Sequence, residues 1–313
     1  MTLRTDSTAE LKRAFRVLAH VGLWLVACFY WWQGPQRPDW IVVLLTFAAF
    51  ILMPLGEGLL HSHGVIPGRP PSRMIVLFTL IIALLPGPSG FSGILFLPWL
   101  VHRSIIAVQS FSIWQKHRSS ASADLCLLAA AVFPAVGAAW LVAFCQGWRP
   151  FGFDALIVLL TAAHFHHAGF TLPLIAGLIA RARPGRWTSW SCIAVLAGVP
   201  LVATGITCTH FGLLPWVEPL GVTFLVLGAL GVAISQMHLG FETISSGLPR
   251  TAFLISGASL LIAMLLALGF GLRYIMPSLA LPMPQMWAIH GSLNAFGFGL
   301  FGLLAWRDQT TKQ

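Results

Sequence analysis

The chain has 313 residues, of which 57% are hydrophobic and 9% charged, and its mean hydropathy is +0.84. Because soluble domains average about 25% charged residues, this composition excludes a soluble globular protein. The formal net charge of +9 does not indicate a nucleic-acid partner, since the basic residues lie in short clusters between apolar runs, as the positive-inside rule produces. We therefore expect the lipid bilayer as a partner and no nucleic acid.

About ten apolar runs predict membrane spans. Most of them reach the roughly 20 residues that a helix needs to cross a bilayer. The sequence therefore predicts an all-α, polytopic transmembrane helical bundle, with residues 1–313 in a single integral membrane domain. In chain order the predicted spans are 11–32, 40–61, 74–86, 91–114, 123–146, 154–180, 187–210, 216–239, 250–275 and 285–306.

The third run is short and ends in a Pro-Gly-Pro sequence at residues 86–88, so it is either a crossing or a half-helix that turns back. With ten crossings and a cytoplasmic N-terminus, fourteen of the 18 Lys and Arg residues face the cytoplasm and three face outside. Without the third crossing the split becomes eight inside and nine outside. The charge bias therefore favours ten crossings, with both termini, residues 1–10 and 307–313, as cytoplasmic tails.

The segment at residues 162–170, AAHFHHAGF, carries the strongest functional signal. It places His164, His166 and His167 inside an apolar run. An ionisable side chain at bilayer depth costs ~2.5–3.5 kcal/mol and marks a functional site by default. His164 and His167 share a helix face, whereas His166 points elsewhere, so one helix does not present all three rings to a single metal ion.

Other predicted spans carry polar residues at a matching depth. His102 and Arg103 lie about eleven residues into the fourth span, and His290 and Asn294 lie one turn apart on the tenth. We expect His102, His290 and Asn294 to converge with His164 and His166 near the membrane midplane. Arg103 is either the partner of a buried carboxylate or a contact for an anionic substrate.

Two carboxylate–histidine pairs lie nearer the predicted cytoplasmic side. Glu57 and His61 are four residues apart on the second span, and His238 and Glu242 are four apart where the eighth span ends. A carboxylate one turn from a histidine orients the ring and raises its basicity, and it can also bind a metal itself. We expect both pairs to lie below the midplane cluster.

The sequence lacks the HExxH, Walker A and dinucleotide-binding motifs. Residues 160–170 (LTAAHFHHAGF) instead resemble the histidine motif of the YndJ-like family of bacterial membrane proteins, as do residues 198–206 (GVPLVATGI) and 290–298 (HGSLNAFGF). The resemblance covers the second half of the chain best. It implies a polytopic membrane protein with a histidine-rich core, and it brings no settled activity. We expect the protein to lie in the cell inner membrane. His167 departs from the aromatic or small residue expected there, which favours His164 and His166.

Two classes of function fit these features. The first is a membrane-embedded enzyme that isomerises, cyclises, dehydrates or oxidises a lipophilic small molecule such as a polyketide, terpene or lipid. The second is a non-enzymatic carrier or sensor of metal ions, protons or haem. We favour the enzyme because no inverted repeat and no charged path across the membrane is apparent. Its candidate catalytic residues are His164, His166, His102, Arg103, His290, Asn294, Glu57, His238 and Glu242.

In the enzyme, the imidazoles act either as metal ligands or as general acids and bases. The candidate metal ligands are His164, His166, His167 and His61. A transition metal is the expected cofactor if one is bound, and imidazole suits Fe, Cu and Zn alike. The sequence does not select a metal, and it leaves the oligomeric state open.

Overall fold

The structure, a computed structural model, describes residues 19–26, 28–29, 40–68, 73–84, 89–119, 121–242 and 247–310. Within these ranges the regular elements are all helices, and no strand occurs. The predicted all-α class is confirmed. The predicted first span, 11–32, lies largely outside the described residues, although residues 19–26 are helical.

Among the described residues, eight helices are long and apolar enough to cross a membrane. They correspond to the second and to the fourth to tenth predicted spans, so the protein has the composition and helix lengths of a polytopic membrane protein. These helices are Trp40–Ser62, Gly90–His117, Ser122–Cys145, Ala155–Ala182, Arg186–His210, Val217–Glu242, Leu248–Gly271 and Met283–Gln309.

We number the α-helices in chain order from Trp40. They are α1 Trp40–Phe47, α2 Met53–Ser62, α3 Arg73–Leu84, α4 Gly90–His117, α5 Ser122–Cys145, α6 Ala155–His167, α7 Thr171–Ala182, α8 Arg186–His210, α9 Val217–Glu242, α10 Leu248–Gly271, α11 Met283–Gln285 and α12 Phe301–Thr310. Three π-helical segments, Ala48–Leu52, Met286–His290 and Leu293–Leu300, lie within the first and last of the long helices.

Helix α3 is too short to count among the eight, but its neighbours fix where its two ends lie. Arg181, at the end of α7, donates to the carbonyl of His63 (3.0 Å) and pairs with Asp124 at the start of α5 (2.7 Å). At the opposite end of α5, Gln146 packs against Gly90 and Gly93 at the start of α4. The segment from 63 to 89, which contains α3, therefore joins opposite ends of the bundle. This supports a crossing by α3, while the total of ten crossings and the orientation remain predictions.

The long helix Ala155–Ala182 is broken near its middle. Helix α6 ends at His167, residues 168–170 form a turn, and Thr171 begins α7 and donates through Oγ1 to the carbonyl of His167 (2.8 Å). Non-helical backbone at membrane depth is tolerated only where it is buried in protein or lines a cavity. Next to this break His166 and His167 are buried, whereas the side chain of His164 is exposed.

The spans around α6 also depart from α-helical geometry. Ala48–Leu52, between α1 and α2, is π-helical and packs against α6, as does the π-helical segment Leu293–Leu300 of the last span. π-helical turns are rare and occur frequently at functional sites. The break after α6 and the two π-helical segments packed against α6 thus bring irregular backbone from three spans close to the helix that carries the histidines.

Candidate functional site

His166 is completely buried, and both of its ring nitrogens have partners. Nδ1 lies 2.8 Å from the carbonyl of Ala162, one turn back on α6, and Nε2 lies 3.0 Å from Nε1 of Trp99 on α4. A carbonyl only accepts and an indole N–H only donates, so the proton is on Nδ1 and the Nε2 lone pair is occupied. His166 is a neutral, fully hydrogen-bonded ring.

Trp99 connects His166 to a buried ion pair. Its ring plane lies within 13° of the His166 ring, and the guanidinium of Arg103 sits 4.6 Å from the centroid of the Trp99 ring. Arg103 pairs with Glu57 on α2 and also contacts Sδ of Met53 (3.4 Å). The sequence left two alternatives for Arg103, and the structure shows the pairing with a buried carboxylate.

Sequence reasoning missed Trp99. Tryptophans of membrane proteins concentrate at the two interfaces, so this residue type alone does not indicate a buried site. Trp99 is instead 2% exposed, and it lies three and four residues before His102 and Arg103 on one face of α4. That spacing was visible in the sequence and was the available signal. His102 is also buried, with its ring centroid 6.2 Å from that of Trp99.

His167 points towards the first long helix. Its Nε2 lies 2.8 Å from the carbonyl of Leu44, one turn before the π-helical segment Ala48–Leu52, so Nε2 carries the proton and donates. Nδ1 is then left with its lone pair, and it is buried without a hydrogen-bond partner. Unpaired buried polar atoms are unusual and call for an explanation.

His164 has one occupied and one open nitrogen. Nδ1 donates to the carbonyl of Leu160 (2.8 Å), which leaves a lone pair on Nε2. Nε2 has no hydrogen-bond partner among the described residues. The side chain of His164 is exposed, so its Nε2 is accessible to a bound molecule.

His290 and Asn294 form a hydrogen-bonded pair on the last long helix. Nδ1 of His290 donates to the carbonyl of Ala263 on α10 (2.9 Å), and its Nε2 accepts from Nδ2 of Asn294 (3.2 Å). The Asn294 amide also donates to the carbonyl of His290 (2.8 Å). His164 is close enough to His290 and to His167 for a charge on one ring to act on the others. We call His164, His167, His290 and Asn294 the histidine hollow.

The remaining candidates lie away from the hollow. His61 is exposed at the end of α2, where Nδ1 contacts the carbonyl of Ile66 (3.3 Å). His238 and Glu242 are exposed at the end of α9, 3.0 Å apart, and Glu242 also pairs with Arg183. These pairs occupy the same end of the bundle as Arg181 and Asp124. Of the four carboxylate–histidine residues, the structure brings only Glu57 into the buried network.

The proposed set of metal ligands is not brought together. His166 is fully hydrogen-bonded, His61 is exposed at the end of α2, and His164 and His167 use one nitrogen each on backbone carbonyls. Among the described residues no group of three or more His, Cys, Asp or Glu side chains could hold a metal ion. The described geometry therefore gives no support to a cage made of His164, His166, His167 and His61.

Comparison with known proteins identifies a family whose model covers the same motifs. The family model described as YndJ-like protein matches residues 43–298, which contain all three motif segments. The chain belongs to the YndJ-like family. A relative from Bacillus subtilis (strain 168), named Uncharacterized membrane protein YndJ, is 26% identical over 93% of this chain and 53% of its own length. The chain thus spans about half the length of this curated relative. No solved structure matches the chain.

Proposed function

We propose that the protein is a membrane-embedded enzyme that carries out acid–base chemistry on a lipophilic small molecule in the histidine hollow. The observation that carries this proposal is the open Nε2 of His164, a lone pair without a partner among the described residues on an accessible ring within a membrane-spanning helix. Neutral imidazole is the side chain best suited to take up and return a proton near neutral pH. His164 is the proposed proton acceptor and donor.

The other residues receive supporting roles in this proposal. His167, His290 and Asn294 line the hollow and orient the substrate. His166, Trp99 and the Arg103–Glu57 pair form the rigid network behind it, with His102 packed against Trp99. His61, His238 and Glu242 receive no role in the reaction.

The reaction class follows from what a base alone can do. Removal of a proton by Nε2 of His164 and its return elsewhere on the molecule gives isomerisation or cyclisation. Return of the proton to a leaving hydroxyl gives dehydration. Each of these balances without a further reactant, whereas oxidation needs an electron acceptor. We therefore propose isomerisation, cyclisation or dehydration, with substrate entering from the lipid of the bacterial inner membrane.

The test compares the wild type with His164→Gln and with His117→Gln, a matched change at an exposed histidine at the end of α4. Each protein is expressed in the same bacterium, its folding is checked by size exclusion, and membrane extracts are compared by untargeted chromatography and mass spectrometry. We expect a compound that accumulates with the wild type and with His117→Gln but not with folded His164→Gln. Identical extracts from all three strains would refute the proposal.

One observation favours the alternative, a carrier or sensor of protons. The break between α6 and α7 resembles the discontinuous helices that hold ions in secondary transporters. In that case His164 passes protons across the membrane and changes no substrate. Proteoliposomes with an internal pH dye discriminate the two functions, since a His164-dependent proton flux without any product supports the carrier.

A further inference from the structure

Hydrogen bonds fix the tautomers of four imidazoles in the bundle. His164, His166, His167 and His290 each place one ring nitrogen 2.8–2.9 Å from a backbone carbonyl. Because a carbonyl oxygen only accepts, that nitrogen carries the proton in every case. The second nitrogen of each neutral ring is therefore a lone pair, and the site is a cluster of hydrogen-bond acceptors.

Two of these four lone pairs are occupied and two are open. Trp99 donates to Nε2 of His166, and the amide of Asn294 donates to Nε2 of His290. Nε2 of His164 and Nδ1 of His167 have no donor among the described residues, and the His167 ring is only 8% exposed. His164 and His167 are three residues apart and share a face of α6, so the two open lone pairs lie on neighbouring rings, with Nδ1 of His167 buried and the side chain of His164 exposed.

We propose that the histidine hollow binds a lipophilic compound through a hydroxyl group, which donates its hydrogen bond to Nε2 of His164. This inference rests on the proposed function, since it names the substrate class of the same site. A ketone, ester or ether of the same shape would set its own lone pairs against those of the imidazoles. The acceptor-only character of the site therefore selects alcohols, enols or phenols.

A cationic headgroup also fits lone pairs but is disfavoured here. A charge at bilayer depth is costly to bring from water, whereas a neutral hydroxyl is not. Among the described residues, the buried carboxylate next to this site is Glu57, and it already pairs with Arg103.

The test uses a pair of probes that differ only in the donor: 4-octylphenol and its methyl ether. Binding to the wild-type protein in lipid nanodiscs is measured as a function of the mole fraction of probe in the bilayer, so that partitioning cancels. We expect the phenol to bind about tenfold more tightly than the ether, because the ether leaves a buried acceptor unpaired. In protein labelled with 15N-histidine, the phenol should shift the Nε2 resonance of His164 and the ether should not.

Two variants locate the effect. His164→Leu replaces the imidazole with an apolar side chain and so removes the acceptor. Both probes should therefore bind this variant equally. His117→Leu, at the exposed end of α4, should keep the full preference for the phenol. If His164→Leu does not fold, the nitrogen resonances of the wild type decide the question alone.

Three results would overturn the inference. These are equal binding of phenol and ether by the wild type, a phenol preference that survives in folded His164→Leu, and stoichiometric Zn²⁺ binding that is lost in His164→Leu and excludes the phenol. Failure of the proposed function gives a different pattern. In that case the phenol preference and its dependence on His164 are present, but no His164-dependent product forms in cells.

Discussion

The buried ion pair between Arg103 and Glu57 offers a direct test of the network behind the hollow. The change is Glu57→Gln, which keeps the size of the side chain and removes its charge. Both side chains of the pair are 3% exposed, and the guanidinium also packs over Trp99. The substitution therefore leaves a buried arginine without a counter-charge.

The expected cost follows from that burial. Removal of one partner of a buried pair costs about 3–5 kcal/mol, because the remaining charge stays desolvated. The double variant Glu57→Leu/Arg103→Met removes both charges and should recover most of this loss, since apolar replacement of a whole buried pair is often neutral. The costs of Glu57→Leu and of Arg103→Met, measured separately, should therefore sum to far more than the cost of the double variant.

Thermal unfolding in detergent measures these costs through the buried thiols. Cys126 and Cys192 are 0% exposed, so a thiol-reactive dye labels them only as the protein opens. The matched control is Glu242→Gln, since Glu242 also pairs with an arginine but is 40% exposed, with Arg183 at 48%. An exposed pair contributes about 0–1 kcal/mol. Equal destabilisation by Glu57→Gln and Glu242→Gln would refute the reasoning.

Two further predictions follow from the packing and from the charges. Gly137→Ala should destabilise the protein by about 1–3 kcal/mol through overpacking, because the new Cβ would lie 2.5 Å from Nδ1 of His166. Gly22→Ala, at a helical glycine with open space around it, should not destabilise it in the same dye assay. Reporter fusions in the 116–122 loop and at the C-terminus should both read cytoplasmic, and fusions at 146–154 should read outside. An outside signal from 116–122 would remove the crossing by α3.

The sequence predicted the helical class and eight of the spans because hydropathy is a local property. A run such as Val217–Glu242 has one apolar environment along its length, so its composition is sufficient to identify it. The breaks inside spans were harder to foresee. The turn after His167 and the π-helical segment Ala48–Leu52 depend on packing between helices, and neither interrupts the apolar composition.

The depth of each polar residue along its span was predictable from the sequence, whereas the residue that it contacts on another helix was not. Counting residues from the end of a helix gives the level of a side chain, and this placed His102, Arg103 and His290 near the histidine cluster. It also paired Glu57 with His61 on the same helix, whereas the structure pairs Glu57 with Arg103 across two helices. Spacing along one helix contains no information on the helix packed against it, so it could not predict that Glu57 pairs with Arg103.

The three neighbouring histidines differ in the partners of their ring nitrogens. An α-helix offers each of its histidines a carbonyl one turn back, and this satisfies one nitrogen of His164 and of His166 through Leu160 and Ala162. It cannot satisfy the second nitrogen, which must find a partner on another span. For His166 that partner is Trp99, whereas Nε2 of His164 has none among the described residues. The motif therefore supplies the imidazoles, and the neighbouring helices determine which of them keeps an open nitrogen.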